Sequence, residues 1–406
     1  MSGEGHTLTR GLTLLVSGRC NLACAYCYQD AGDHAPRLDW KTAREGVAAL
    51  VRSGAPSPRL EFSGGEPLLE ERLIRRTVAY AESVRPAETR CQYVLTTNGT
   101  LLTSDMLAFL VAHDVALQLS FDGAREAQRY RGPRTFKVLD RLLDLILKEH
   151  PDYYRRRVQI GMTLMAATIP TLADSIRYLL GKGVTAISVV PRTTWDPDWT
   201  AASRDLLRQQ VEQVLEISLD HWRRTGLVPV GFLRGRNTAP AAAHGRTFLC
   251  AAPRAAAVCV EPGGRAFACT MFARSWHVLP PLARAAGKLL DLGDIRDPAL
   301  QERIEALPRR ARRLPLLTNK RAKHSSYGRC AECRFRVDCF VCPAAIAHIP
   351  GNDDPHLIPD FPCAFNQMTL AARRQFNKRK GKRGSPEREV LTLVSQALDI
   401  LEAAAR

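Results

Sequence analysis

The chain lacks any uncharged apolar run of about 18 residues, so it offers no helix of the length a bilayer requires. Its opening stretch, Met1 to Arg10, has no apolar core of the kind a secretion signal carries. Both absences lead us to expect a cytoplasmic protein. No internal repeat is visible, and no nucleic-acid-binding motif accompanies the positive charge. What the chain does have is 406 residues, 45% of them hydrophobic, enough for large cores and for more than one domain. Its net charge is +17, concentrated partly in Arg309 to Lys323 and in Arg373 to Arg383, each with seven Lys or Arg. Such runs read first as solvated surface, and second as contacts for an acidic peptide.

The first half alternates strand-like and helix-like segments. Strands are predicted at Leu12–Val16, Arg59–Phe62, Gln92–Thr96, Val115–Phe121, Val158–Met165 and Ala186–Val190. Helices are predicted between them at Thr42–Arg52, Glu71–Val84, Ser104–Ala112, Phe136–Glu149 and Ile169–Lys182. This order implies parallel βαβ units and an α/β fold: a partial (β/α)6 TIM-like barrel, short of the eight units that closure takes. Reactive residues in such sheets gather at the C-terminal ends of the strands. Residues 1–195 form this first expected domain. Residues 196–246, with helical periodicity over Asp205–Trp222, read as a helical linker. Residues 247–376 have short segments and dense cysteine, the texture of a fold held by metal. Residues 377–406 read as a basic tail and a final helix, Val390 to Ala405.

Twelve cysteines in a cytosolic chain point to metal rather than to disulfides. Cys91 stands apart and reads as a small buried hydrophobe at the start of a strand. Cys20, Cys24 and Cys27 follow the first predicted strand at Cys-x3-Cys-x2-Cys spacing. Three thiolates can hold one face of a [4Fe–4S] cube and leave its fourth iron without a protein ligand. Such a vacancy suits binding and activation of a small molecule, whereas four-cysteine centres mainly carry electrons. The alternative is a three-cysteine zinc site.

The triad, with Tyr26 before its third cysteine, resembles the signature of radical S-adenosylmethionine (SAM) enzymes. Ser63-Gly64-Gly65-Glu66-Pro67, after the second strand, resembles the family's GGEP motif, and the resemblance implies contact with the methionyl amine of SAM. Asn98 in Thr96-Thr97-Asn98-Gly99 and Ser120 in Ser120-Phe121-Asp122-Gly123 become candidate polar contacts. Arg131 or Arg134 would pair with the SAM carboxylate. Leu164 and Met165 would flank the adenine. Cys250, Cys259, Cys269, then Cys330-x2-Cys333-x5-Cys339-x2-Cys342, then Cys363, resemble a C-terminal SPASM extension, a small Cys-rich iron–sulfur domain. The third gap is two residues where the family usually has three. The resemblance implies two auxiliary [4Fe–4S] clusters, one on Cys250, Cys259, Cys269 and Cys342, the other on Cys330, Cys333, Cys339 and Cys363. A pair of zinc ribbons is the alternative.

The resemblance therefore implies an enzyme with three [4Fe–4S] clusters and SAM, one cluster binding SAM and two auxiliary. It would cleave SAM to a 5′-deoxyadenosyl radical and take hydrogen from a peptide or small-protein substrate, in maturation of a ribosomally made peptide by crosslinking, thioether formation or oxidation. The implied partners are that substrate, a reductant such as flavodoxin or ferredoxin, and a separate leader-recognition protein, since no detached recognition domain is evident before the first strand. No nucleic-acid or membrane partner is expected. Asp353, Asp354 and Asp360 read as loop acids, and no catalytic base is assigned. Two other classes stay open: small-molecule oxidation or sulfatase-maturase-like protein modification, and a non-catalytic iron–sulfur electron carrier.

Overall fold

A computed structural model describes residues 10–29, 35–235, 248–255, 257–273 and 280–380. Strand β1, Gly11–Ser17, is buried along its whole length. Its run Leu-Thr-Leu-Leu-Val is what a strand covered on both faces needs. The next five strands are β2 (Arg59–Gly64), β3 (Gln92–Thr97), β4 (Ala116–Ser120), β5 (Val158–Leu164) and β6 (Ile187–Pro191). They lie side by side in chain order, each parallel to the last. Parallel neighbours need crossover connections, and a helix supplies each one. The six strands are those expected from the sequence, shifted by at most two residues at an end.

Two helices match expectation to the residue, Glu71–Val84 and Ser104–Ala112. The hydroxyl of Thr103 caps the second by accepting from the Met106 amide at 3.1 Å. Arg85, before Pro86, ends the first in extended backbone. The expected helix Ile169–Lys182 is instead a 3-10 segment, Ala166–Thr171, followed by the helix Leu172–Gly181. Pro170 has no amide hydrogen for an α-helical ladder, which accounts for the shift. Cys91 lies one residue before β3 and is half-buried, so it is not the buried strand residue expected.

The sheet does not stop at β1. A short strand β7 (Val258–Val260) pairs parallel with β1 on its free side, and β8 (Arg265–Phe267) and β9 (Asp291–Asp294) continue antiparallel. The cysteine-rich half thus grows from the edge of the barrel sheet. One contiguous apolar cluster joins Leu14, Phe62 and Leu119 to Leu292, Ile346 and Phe376. The helix Ala201–Thr225, expected as a linker, packs against both Leu172–Gly181 and the long helix Asp360–Arg379. Residues Arg373 to Arg379 of the second basic run are the last turns of that helix, where Arg379 pairs with Glu216. The expected helix Val390 to Ala405 lies outside the described residues. No described helix is long and apolar enough to cross a membrane.

Candidate functional site

Because β1 to β6 are parallel, Cys20, Gly64, Asn98, Ser120 and Leu164 all fall at one end of the sheet. The three-cysteine loop is anchored there by backbone. Gly65 N donates to Ser17 O and Glu66 N to Arg19 O, both at 2.8 Å. Gln29 Nε2 donates to Gly64 O at 2.7 Å, so the turn after β2 grips the loop on both sides of the cysteines. Only glycine fits this turn. Gly64 has φ +137°, and a Cβ on Gly65 would overlap the Arg19 carbonyl.

Glu66 is fully buried, and its carboxylate accepts from Thr97 Oγ1 at 2.6 Å, Asn98 N at 2.8 Å and Leu68 N at 3.0 Å. Burial raises its pKa and those three donors oppose the rise. Its main work is to tie the β2 turn to the end of β3, with little acceptor capacity left for a ligand amine. Asn98 is similarly engaged. Its Nδ2 donates to Asn21 Oδ1 at 2.9 Å and reaches Cys20 Sγ at 3.9 Å, while Oδ1 accepts from Thr100 N at 2.9 Å. Pro67 starts the 3-10 turn that follows.

Arg131 is not open to a ligand carboxylate. It forms a buried two-pronged ion pair with Asp122, at 3.0 Å from Nε and 2.9 Å from Nη2. Asp122 also accepts from the Tyr26 hydroxyl and from Thr163 N at 2.9 Å. Burial opposes the Arg131 charge, but Asp122, Tyr26 and Cys24 together outweigh it and hold the pKa above the ordinary value. The Arg131 guanidinium lies over the Tyr26 ring at 5.2 Å, and its carbonyl faces Cys24 Sγ at 3.6 Å. The Ala25 amide donates to Tyr130 O at 2.8 Å. Asp122, Tyr26 and Arg131 therefore brace the centre of the cysteine loop. Asp122 and Gln29 were not singled out from the sequence, although a carboxylate at the buried end of a strand is itself a signal. Arg134 is exposed, in left-handed backbone, and has no partner among the described residues. Ser120 is half-buried with no hydrogen-bond partner for its hydroxyl among the described residues. Leu164 and Met165 are buried.

Burial raises the thiols of Cys20, Cys24 and Cys27, that of Cys24 to about 11, and the other thiolates of the loop add to the rise for Cys20 and Cys24. Among the described residues no group of three or more His, Cys, Asp or Glu is drawn in around a single metal ion. A cube gives each thiolate its own iron, so its ligands stand wider apart than those of tetrahedral zinc. Three thiols on one anchored loop are the donor set that a cube with one open iron takes.

The eight C-terminal cysteines fall into two neighbourhoods. The Cys269 thiol is pushed up to about 12, chiefly by burial, with Cys342 and then Cys250 adding to it. Cys250 is raised to about 11 by burial and by Cys342, and Cys259 by burial and by Cys269. Cys339 is raised to about 12 by burial, and it feels Cys330, Cys363 and Cys333. Those four line one cavity of about 300 Å3. Lys320 also lines it and donates to the carbonyls of Cys339 and Arg336. Ser325 Oγ donates to Cys363 Sγ at 3.2 Å and Gln367 Nε2 at 3.5 Å. A pocket lined by four thiols fits a cluster, with hydrogen bonds to sulfur available from neighbours.

Comparison with known proteins bears on the first half most directly. Residues 14–185 match the family described as the radical SAM superfamily. An uncharacterized protein of Methanocaldococcus jannaschii is 30% identical over 182 residues, which cover 44% of this chain and 60% of that protein. A GTP 3′,8-cyclase of a Synechococcus strain is 37% identical over 117 residues, covering 29% of this chain and 33% of the cyclase. This chain thus spans only part of the length of those relatives. Among solved structures, native anSMEcpe with bound AdoMet superposes at TM-score 0.69 with 15% identity, covering 92% of this chain and 100% of that one. SuiB of Streptococcus suis bound to precursor peptide SuiA gives 0.56 with 12% identity, over 88% of this chain and 76% of SuiB. These two likenesses show a shared fold. Over residues 14–185 the chain is thus similar to the radical SAM superfamily.

Proposed function

We propose that this protein is a radical SAM enzyme of the SPASM type that modifies a peptide. Cys20, Cys24 and Cys27 would hold the SAM-binding [4Fe–4S] cluster. Cys250, Cys259, Cys269 and Cys342 would hold one auxiliary cluster, and Cys330, Cys333, Cys339 and Cys363 the other. When bound, the first cluster and SAM supply one-electron cleavage of the sulfonium and a 5′-deoxyadenosyl radical that removes hydrogen from the substrate. The chain's own residues set the stage for that chemistry. The Gly64-Gly65-Glu66 turn, Asn98 and the Asp122–Arg131 pair fix the cysteine loop. Ser120, with its unengaged hydroxyl, and exposed Arg134 are the polar groups still available to SAM. Buried Leu164 and Met165 make the mouth apolar, which keeps water from the reacting atoms. A flavodoxin or ferredoxin would deliver the electron, and a separate protein would present the peptide leader.

The observation that carries this reading is the bracing of three thiols, on one loop, at the C-terminal mouth of a parallel sheet. The peptide class is supported by the near-complete fold overlap with anSMEcpe and by SuiB, whose structures hold peptides. Likeness to the GTP 3′,8-cyclase favours a second reading, a small nucleotide-like substrate, but covers less than a third of this chain. Reconstituted protein, reduced anaerobically with SAM, is expected to yield 5′-deoxyadenosine and methionine. Co-expression with candidate peptides is expected to change a peptide's mass. Iron-loaded protein that yields no 5′-deoxyadenosine would overturn the enzymatic reading.

A further inference from the structure

The sixth strand has a partly open edge. β5 occupies one side of it, and on the other side Ile187 N donates to Pro229 O. Peptide groups alternate sides along a parallel strand, so the Val189 amide points the same way as that of Ile187. Beyond Ile187 that side carries no further bridge among the described residues, and the Val189 amide has no acceptor there. Unpaired strand edges invite another strand, and natural sheets usually cover or blunt them.

This edge faces a cavity of about 550 Å3, lined by β6 on one side and by the C-terminal half on the other. Val190 and Phe340 line it and are exposed, at 49% and 39%. Arg192, Arg234 and Arg373 also line it. Arg234 donates to the carbonyls of Val228 and Thr185, Arg373 to that of Phe232 at 2.8 Å, and Arg192 to the Thr194 hydroxyl at 3.1 Å. Among the described residues none of the three is in an ion pair. The lining carboxylate, Asp338, is engaged by Arg374 at 3.4 Å. The cavity thus offers a free main-chain amide, apolar contact and three guanidinium groups against one carboxylate, Asp338, which Arg373 also feels. Cys342 reaches its wall, and Arg192 sits at the end of β6 that meets the cysteine loops.

We propose that the open edge of β6 takes up an extended, acidic segment of the peptide substrate as an added strand. Main-chain pairing at Val189 supplies register, and the three arginines read acidic side chains. A strand laid here runs along β6 toward the mouth of the barrel. The proposal rests on the peptide reading above and specifies how that substrate is held.

The test uses the reconstituted full chain and a fluorescein-labelled peptide of alternating Glu and Val, read by anisotropy. The Glu–Val peptide is expected to bind, more weakly as salt rises, and its Lys–Val counterpart is not. Arg373→Gln and Val189→Pro are each expected to weaken binding about five- to ten-fold, with iron content unchanged. Proline at Val189 removes an amide that points away from β5, so the ladder survives, and because it also trims a buried side chain, N-methylation of the probe is the control for lost packing. Should Arg373→Gln fail to fold, N-methylation of alternate amides in the probe carries the same test without altering the protein. The proposal is overturned if the Glu–Val peptide does not bind, if the Lys–Val peptide binds as well, or if Val189→Pro and N-methylation leave binding intact. Cleavage of SAM by the wild-type chain, measured alongside, separates failure of this docking edge from failure of the enzymatic reading.

Discussion

Replacing Asp122 with asparagine isolates the brace beneath the cysteine loop. Asp122 is 2% exposed and Arg131 7%, so neither charge has water to fall back on. The carboxylate accepts four hydrogen bonds, two from Arg131, one from Tyr26 and one from Thr163. Asparagine keeps the shape, removes the negative charge and turns one acceptor into a donor facing donors. A buried pair broken on one side loses about 3–5 kcal/mol, because the surviving charge is left uncompensated. Urea unfolding of the metal-free Asp122→Asn protein should show that loss. The double variant Asp122→Asn, Arg131→Gln should recover part of it, since no lone cation remains. The loop should also loosen, so iron bound per chain after reconstitution should fall mainly at the first cluster, seen by electron paramagnetic resonance. A loss below about 1 kcal/mol with full iron would refute the bracing role.

Three further outcomes follow from the geometry. Gly65→Ala, whose Cβ meets the Arg19 carbonyl, should lose SAM cleavage and first-cluster iron while both auxiliary signals persist; full iron and activity would contradict it. Cys339→Ser should remove about four irons, those of the Cys330, Cys333, Cys339 and Cys363 group, and spare the rest, as iron analysis and Mössbauer spectra would report. Burial raises Cys269 and Cys339 from 9.0 to about 12 in the folded chain. Their contribution to metal-free stability is then whole below pH 9 and lost as pH rises from 9 toward 12. The Tm of metal-free protein should drop between pH 8 and 10.5 far more than that of cluster-loaded protein, in which the thiolates are already ionised. Parallel declines would refute this.

The barrel half was legible because its signals are local. Strand β1 is a continuous apolar run, and Thr103 and Pro86 mark helix ends in the sequence itself. Pro151 is a mark of the same kind and opens a further helix, Pro151–Arg157, beyond those expected. Strands β7 to β9 have three or four residues each, too short to show a period, so their joining of the barrel sheet at β1 was invisible. The cysteine spacing disclosed a cluster loop, but not what holds it. Arg131 read as a candidate for the SAM carboxylate because its true partner, Asp122, is fixed by the turn between them. Glu66 and Asn98 likewise bond to groups some 30 or more residues away in the chain, a pairing set by strand order and not by neighbours in sequence.

The most direct measurement compares the reconstituted wild-type chain with a Cys20→Ala, Cys24→Ala, Cys27→Ala variant, each titrated with SAM under reducing conditions. The account predicts that SAM perturbs the paramagnetic signal of the wild type and is cleaved to 5′-deoxyadenosine. The variant should keep about eight irons and do neither. Unchanged cleavage in the variant, or a wild-type signal blind to SAM, would contradict it.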